Sequence, residues 1–308
     1  MIIEYLGDVH LGKKFQNGVP LNRRGEREAN QYLKFRDNLL NTKADYHVQV
    51  GDLFDSHYVS YMTVWGAYQA YKAAVKANPH TKYYVLRGNH DGSRDTDRVS
   101  AFDIFEGLVD GLGVIVVSEA PYAFAPGHYL VPWHPFITAS EMAEQLPSDA
   151  RVVVGHWDVV MGDTNRIPIE QFQEIGVKRA ITGHDHVKRD LKMGGIDVHV
   201  TGSMEPFSHG EDPDGEIYVT LTLQDDLTNL RDKCVRILLK ADEVFDQQIE
   251  CLQLTLQRGE KDQVDLGEIE FEEFDMDQLF MKAASEVGLD DDFTSIVKEK
   301  FIEARAQS

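Results

Sequence analysis

The sequence predicts an α/β protein with two sheets packed as a sandwich, helices outside them, a small C-terminal cap and a helical tail. Three observations predict it. Five short apolar segments rich in β-branched and aromatic residues each end in a polar cluster, the pattern of buried strands feeding functional loops. Helical periodicity fills several of the intervals, and strands alternating with helices imply a sheet with parallel stretches. Further along, hairpin-like and alternating segments predict a second, more antiparallel sheet.

In chain order, residues 2–7 lead into Asp8-Val9-His10, and residues 46–50 lead into Gly51-Asp52-Leu53-Phe54-Asp55. Residues 82–86 lead into Gly88-Asn89-His90-Asp91, residues 151–154 into Gly155-His156-Trp157, and residues 179–182 into Gly183-His184-Asp185-His186. Helical patterns cover about 27–41, 61–76 and 99–107. Ligands of open α/β sheets gather where loops leave the carboxyl ends of strands, so all five clusters are expected on one edge. Residues 122–124 and 128–132 flank Pro126-Gly127 as a hairpin ending at Trp133, and 197–200 and 217–223 alternate like antiparallel strands.

The character changes after Gln224. Residues 234–239 and 250–257 are strand candidates of a small unit, 224–271, behind a main domain of 1–223. Two helical patterns close the chain over 272–308. Leu279, Phe280, Ala283, Ala284 and Val287 share one face, and Gly288 ends that helix as a C′ residue. Asp290-Asp291-Asp292 cap the next helix, which places Phe293, Ile296, Val297, Phe301 and Ala304 on a face.

The 308 residues are 42% apolar and carry a net charge of −21, which excludes a surface that coats nucleic acid broadly. The charge is uneven: residues 211–308 hold 26 acids against 10 bases, whereas residues 1–210 hold 26 against 21. Two divalent cations would nearly cancel the −5 of the longer part. No run reaches the ~18 apolar residues that span a bilayer. A strand-like start without a basic and then apolar leader predicts a cytoplasmic protein. Cys234 and Cys251 lack metal spacing and are expected to be buried, inert thiols.

The clusters offer Asp8, His10, Asp52, Asn89, His90, His156, His184 and His186. Mixed nitrogen and oxygen donors without thiolate suit Mn²⁺, Fe²⁺ or Zn²⁺ better than Ca²⁺ or Mg²⁺. One ion cannot use so many donors, whereas two ions sharing a carboxylate can, and Asp52 sits in the middle of the set. Paired ions clamp the oxygens of an in-line phosphoryl displacement. His90 is then left to protonate the departing oxygen, with Asp91 as the neighbouring carboxylate that orients it.

In this series, Asp8-x-His10, Gly51-Asp52, Gly88-Asn89-His90-Asp91, Gly155-His156 and Gly183-His184-x-His186, the chain resembles the calcineurin-like metallophosphoesterase superfamily over residues 1–223. The resemblance implies one metal on Asp8, His10, Asp52 and His186, a second on Asp52, Asn89, His156 and His184, and His90 as the catalytic histidine. The ions implied are two Mn²⁺, with Mg²⁺, Fe²⁺ or Zn²⁺ as alternatives. Asp8-Val9-His10-Leu11-Gly12, Val131-Pro132-Trp133 and Gly202-Ser203 look closest to SbcD-like DNA repair and recombination nucleases of phage or bacterial type. Several relatives carry a phosphate-placing histidine where this chain has Asp55, which could instead orient His90 or His10 or cap its turn. The resemblance further implies a DNA substrate, a bacterial or infected-host cytoplasm, and an SbcC-like coiled-coil ATPase gripping Leu279, Phe280, Val287, Phe293, Ile296, Val297 and Phe301.

Lys13, Lys14, Arg23, Arg24 and Arg27 follow the first cluster, and Arg94 and Arg98 the third; all are candidates for DNA phosphates. The aromatic group between Tyr58 and Tyr71 suits core or homodimer packing. Two rivals stand beside the nuclease. One is a metallophosphoesterase of small substrates. The other is a non-catalytic scaffold, against which the complete ligand series argues.

Overall fold

The computed structural model describes residues 1–94, 98–160 and 164–259. A first, all-parallel sheet has the order β1 (Ile3–Leu6), β2 (Tyr46–Gln49), β3 (Lys82–Leu86), β4 (Val114–Val117). Its crossovers are α1 (Glu26–Asn41), α2 (Tyr61–Ala77) and α3 (Ala101–Val109). A buried stripe at four-residue spacing, Arg27, Gln31, Phe35 and Leu39, seats α1. Ser60 caps α2 by accepting from the Thr63 amide, and Ser100 with Asp103 forms a capping box on α3.

The second sheet holds β5 (Tyr122–Ala125), β6 (His128–Val131), β7 (Val152–Gly155), β8 (Arg179–Thr182), β9 (Arg189–Met193) and β10 (Ile196–Val200), in the order β5-β6-β7-β8-β10-β9. It is flanked by α4 (Ala139–Ala143) and α5 (Ile169–Ile175). The sheets pack face to face through Val48, Tyr84, Leu86, Leu130, Val154 and Ile181. The alternate residues, Tyr83 and Val85 on one sheet and Val153 and Ala180 on the other, pack outward with the helical layers. Both faces of each sheet are therefore covered, which is why the strands read as nearly continuous apolar runs.

The second sheet is more antiparallel than the first, as expected: its edges, β5-β6 and β10-β9, are antiparallel, while β6-β7, β7-β8 and β8-β10 pair in parallel. Two expectations are corrected. The five motif strands are not in one sheet: β1–β3 belong to the first, β7 and β8 to the second. The other concerns 217–223: its strand, β11 (Tyr218–Thr222), joins β12 (Cys234–Leu239) and β13 (Gln253–Arg258) in a separate parallel sheet. That sheet buries Val235, Ile237 and Leu239 on one face. Strand alternation reveals which residues share a face, never which strand is the neighbour. Both cysteines are buried free thiols, as expected. The predicted tail helices and their face residues Leu279, Phe280, Val287, Phe293, Ile296, Val297 and Phe301 lie outside the described residues. Among the described residues no helix is long and apolar enough to cross a membrane.

Candidate metal centre

The carboxyl ends of β1, β2, β3, β7 and β8 meet where the two sheets open, and their loops bring all eight predicted residues together. Three donor triads form there: Asp8-His10-His186, His10-Asp52-His90 and Asp52-His156-His184, with the donor atoms of each within 4.8 Å of one another. Asp8, His10, Asp52 and His156 are buried, Asn89, His184 and His186 half-buried, and His90 exposed.

Backbone strain marks the site. Four non-glycine residues adopt left-handed φ among the described residues, and three of them are His10 (51°), Asp52 (53°) and His184 (73°). Gly88 is required because a Cβ there would collide with Asp52, and Gly183 because a Cβ would meet Asp8 and the Val50 carbonyl.

The polar geometry suits two cations sharing Asp52. The Val50 carbonyl accepts from His156 Nδ1 at 2.9 Å, which turns Nε2 toward Asp52 (3.2 Å) and Asn89 Oδ1 (3.0 Å). His184 Nδ1 lies 2.8 Å from the same Asn89 oxygen. On the other side His186 Nε2 is 3.4 Å from Asp8, and His10 Nε2 is 3.8 Å from Asp52. His10 and His186 face each other through Nε2 atoms 3.1 Å apart, and His10 Nδ1 has no hydrogen-bond partner among the described residues. Inward nitrogens packed between buried carboxylate oxygens form a donor set for hard to borderline divalent ions, so the residues fit the two-metal expectation.

Electrostatics agree. Burial would raise Asp52, but His156, His10 and His90 outweigh it and hold the carboxyl well below its usual range. Burial would lower His156, yet Asp52 and Asp8 carry it up to about 9. Burial likewise opposes His186, which hydrogen bonds with Asp8 and Glu211 carry up to about 10. At His156 and His186 the carboxylates thus hold positive charge in the form of protons, which cations would displace, whereas burial lowers His10 to about 3 and His184 to about 4 and favours their neutral, metal-ready rings.

Asp91 corrects a sequence expectation. It does not orient His90. Its fully buried carboxylate accepts from the backbone amides of Gly88 (2.9 Å), Phe54 (2.9 Å) and Leu53 (3.2 Å), clamping the second motif loop to the third. The His90 ring is set by Asp55, whose backbone carbonyl accepts from Nδ1 at 2.7 Å. The Asp55 side chain goes elsewhere, to Lys13 (3.0 Å) and His10 Nδ1 (3.5 Å). Of the candidates for DNA phosphates, Arg23 is buried against Glu26 and the Arg231 carbonyl, and Arg27 against Tyr218 and Glu205; both are structural ties. Lys14, Arg24, Arg94 and Arg98 are exposed, and Lys13 borders the cluster.

Three contributors escape sequence reading. Glu211 sits 3.3 Å from His186 Nδ1, Asp158 lies 4.0 Å from His184 Nε2, and Phe207 packs edge-on against His10 and His186. Asp158 follows the fourth motif by one residue, which is a usable signal. Glu211 and Phe207 belong to a loop without periodicity and carry none.

Fold and site together define a metal-dependent phosphoesterase with two divalent ions. The family model of the calcineurin-like phosphoesterases matches residues 3–188, and the chain belongs to that family. No curated protein matches it in sequence. Two similar solved structures are the phosphopantetheinyl hydrolase PptH of Mycobacterium tuberculosis and the protein TT1561 of Thermus thermophilus. The first is 12% identical with a TM-score of 0.41 and covers 67% of this chain and 93% of its own. The second is 13% identical with a TM-score of 0.43 and covers 66% and 91%.

Proposed function

We propose that the chain is a DNA exonuclease/endonuclease that hydrolyses phosphodiester bonds with two Mn²⁺ ions, as the nuclease subunit of an SbcCD-like repair or recombination complex. The observation that carries the reading is a complete donor set on an open face. Eight side chains converge from five strand ends, and the His90 side chain is 43% exposed at the mouth. A polymer can reach such a site, whereas a closed pocket would select a small ester. Asp8, His10, Asp52 and His186 would hold one ion, and Asp52, Asn89, His156 and His184 the other. Bound there, the ions supply Lewis acidity and charge neutralisation for in-line displacement at phosphorus. His90, its Nδ1 held by the Asp55 carbonyl, presents Nε2 to the leaving oxygen and protonates it. Asp55 is a positioning residue that bears on both His90 and His10.

In this reading residues 1–223 carry the nuclease domain, 224–271 are a small cap whose strands β12 and β13 share their sheet with β11 of the preceding part, and 272–308 dock an SbcC-like ATPase in the cytoplasm. The exposed side chains of Tyr61, Met62 and Trp65 along α2 support a homodimer. The net charge of −21 favours the second reading, a phosphodiesterase of small substrates, because it repels a polyanion. The deciding experiment compares Mn²⁺-dependent cleavage of single-stranded and blunt duplex DNA with that of a small bis-phosphodiester, with and without the ATPase. Cleavage of the small ester alone would sink the nuclease reading. Truncation before Glu272 should leave metal binding intact and abolish stimulation by the ATPase with ATP.

A further inference from the structure

A cleft of about 600 Å³ runs beside the metal centre, between the loop that follows His10, the loop of Phe207, and the third sheet. Its charge is unlike that of the rest of the chain. Acids outnumber bases by 52 to 31 in the sequence, yet none of the twelve residues lining this cleft is Asp or Glu, while Lys13, Lys14, His209 and Arg236 are among them.

The third sheet explains how the cleft is built. Thr220, Arg236 and Thr255 are register partners across β11, β12 and β13, so they form one row on one face. The residues next to Arg236 along its strand, Val235 and Ile237, turn to the opposite face and fill a small core. The row therefore presents a cation flanked by two hydroxyls. Arg236 has no hydrogen-bond or carboxylate partner among the described residues, although it is half-buried. The opposite wall is fixed rather than loose: the Leu254 amide donates to the Gly18 carbonyl at 2.8 Å, and Gln253 Nε2 to that of Asn17 at 2.9 Å.

The cleft is continuous with the chemistry. Lys13 Nζ lies 5.1 Å from the centre of the Phe207 ring and 3.0 Å from Asp55, which reaches His10. Phe207 stands edge-on to His10 and His186 at 5.2 and 5.4 Å, so one ring borders both the metal cluster and the cleft. An anion whose scissile phosphate sits at the cluster and which carries further phosphates would meet the basic groups in turn.

We propose that this cleft is a strand-binding subsite, in which Arg236 and Lys14 hold backbone phosphates of the DNA strand leading away from the scissile bond. It deepens the nuclease reading and rests on it. The contacts are to backbone and carry no sequence preference.

The test measures binding and cleavage of a single-stranded oligonucleotide with Mn²⁺ over a range of salt concentrations. The proteins are the wild type, Arg236→Gln, Arg236→Lys and Lys14→Gln. Each lost phosphate contact should reduce the slope of log affinity against log salt by about 0.7. Arg236→Gln and Lys14→Gln should each show that reduction, equally on unrelated sequences, while Arg236→Lys keeps the slope. Lys14 is exposed, so its variant reports on binding even if Arg236→Gln were to misfold. Unchanged slopes in both glutamine variants, with wild type that cleaves DNA, would overturn the subsite and leave the nuclease reading standing. Wild type that hydrolyses only a small phosphodiester would overturn that reading, and the subsite with it.

Discussion

Asp91 separates a scaffold role from a catalytic one by magnitude. Its carboxylate is fully buried and accepts three backbone amides, two from the loop after β2 and one from the turn after β3. Leaving a buried donor without a partner costs ~1–3 kcal/mol. Asp91→Ala strands three, so after partial relaxation it should destabilise by roughly 3–5 kcal/mol, a large share of the ~5–15 kcal/mol of a typical domain. Asp91→Asn keeps the size and one acceptor oxygen, but its amide group meets a backbone donor; about 1–3 kcal/mol is expected. The assay is urea unfolding, read as a fall in midpoint at constant slope, beside a Mn²⁺ titration of the folded protein. Because the clamp sets Asp52 against Asn89, metal affinity should fall together with stability. An Asp91→Asn protein with wild-type midpoint and metal affinity that has lost only its rate would refute the clamp, and would restore Asp91 as the residue that orients His90.

Three further outcomes are expected. Asp52→Asn should abolish Mn²⁺-dependent hydrolysis and reduce the bound metal measured by elemental analysis at both positions, since two of the three donor triads share it; loss of one ion only would contradict the bridge. His90→Ala should keep its metal content and lose ~10²–10⁴-fold in rate; an emptied site with a normal rate per remaining metal would refute the acid role. His47, buried against Asn38 and away from the metals, is lowered to about 4 by burial, with the Glu4 charge opposing. The unfolded chain binds this proton near pH 6.5 and the folded one does not. Stability is therefore lost as pH falls from 6.5 toward 4, by roughly 2 kcal/mol between pH 7 and pH 5. His47→Gln should lose that much less over the same range in urea midpoints, and parallel losses would count against it.

The centre was legible in the sequence because each donor follows a strand end with glycine or a like turn residue beside it, and five such signals in order are hard to arrange by chance. What failed was inference from adjacency. Asp91 follows His90 directly, yet the chain turns between them, and the carboxylate faces inward to amides while the imidazole faces solvent. Arg23 and Arg27 belong to a basic run that looks like a phosphate surface. They are buried because α1 and the loop before it lie under the third sheet, a contact spanning some two hundred residues of sequence. Glu211 and Phe207 were invisible for the same reason. Their loop is brought to the site by a strand pairing that no local pattern encodes.

The strained residues explain why so much of the surrounding sequence is glycine and buried polar groups. His10, Asp52 and His184 hold left-handed backbone at a cost of about 1–3 kcal/mol each. Ion binding would stabilise the converged state by linkage, and the fold also supplies an offset that needs no ion. The offset lies in the backbone bonds around them. The Val9 and His10 amides both donate to the Asp52 carbonyl at 3.0 Å, the His90 amide donates to the Asp52 carboxylate at 2.9 Å, and the His184 amide donates to Asp8. Each strained residue is thus fixed by a neighbouring motif rather than by its own. A change in any one loop should be felt at the others, and the five motifs function as a single unit although they are spread over two sheets.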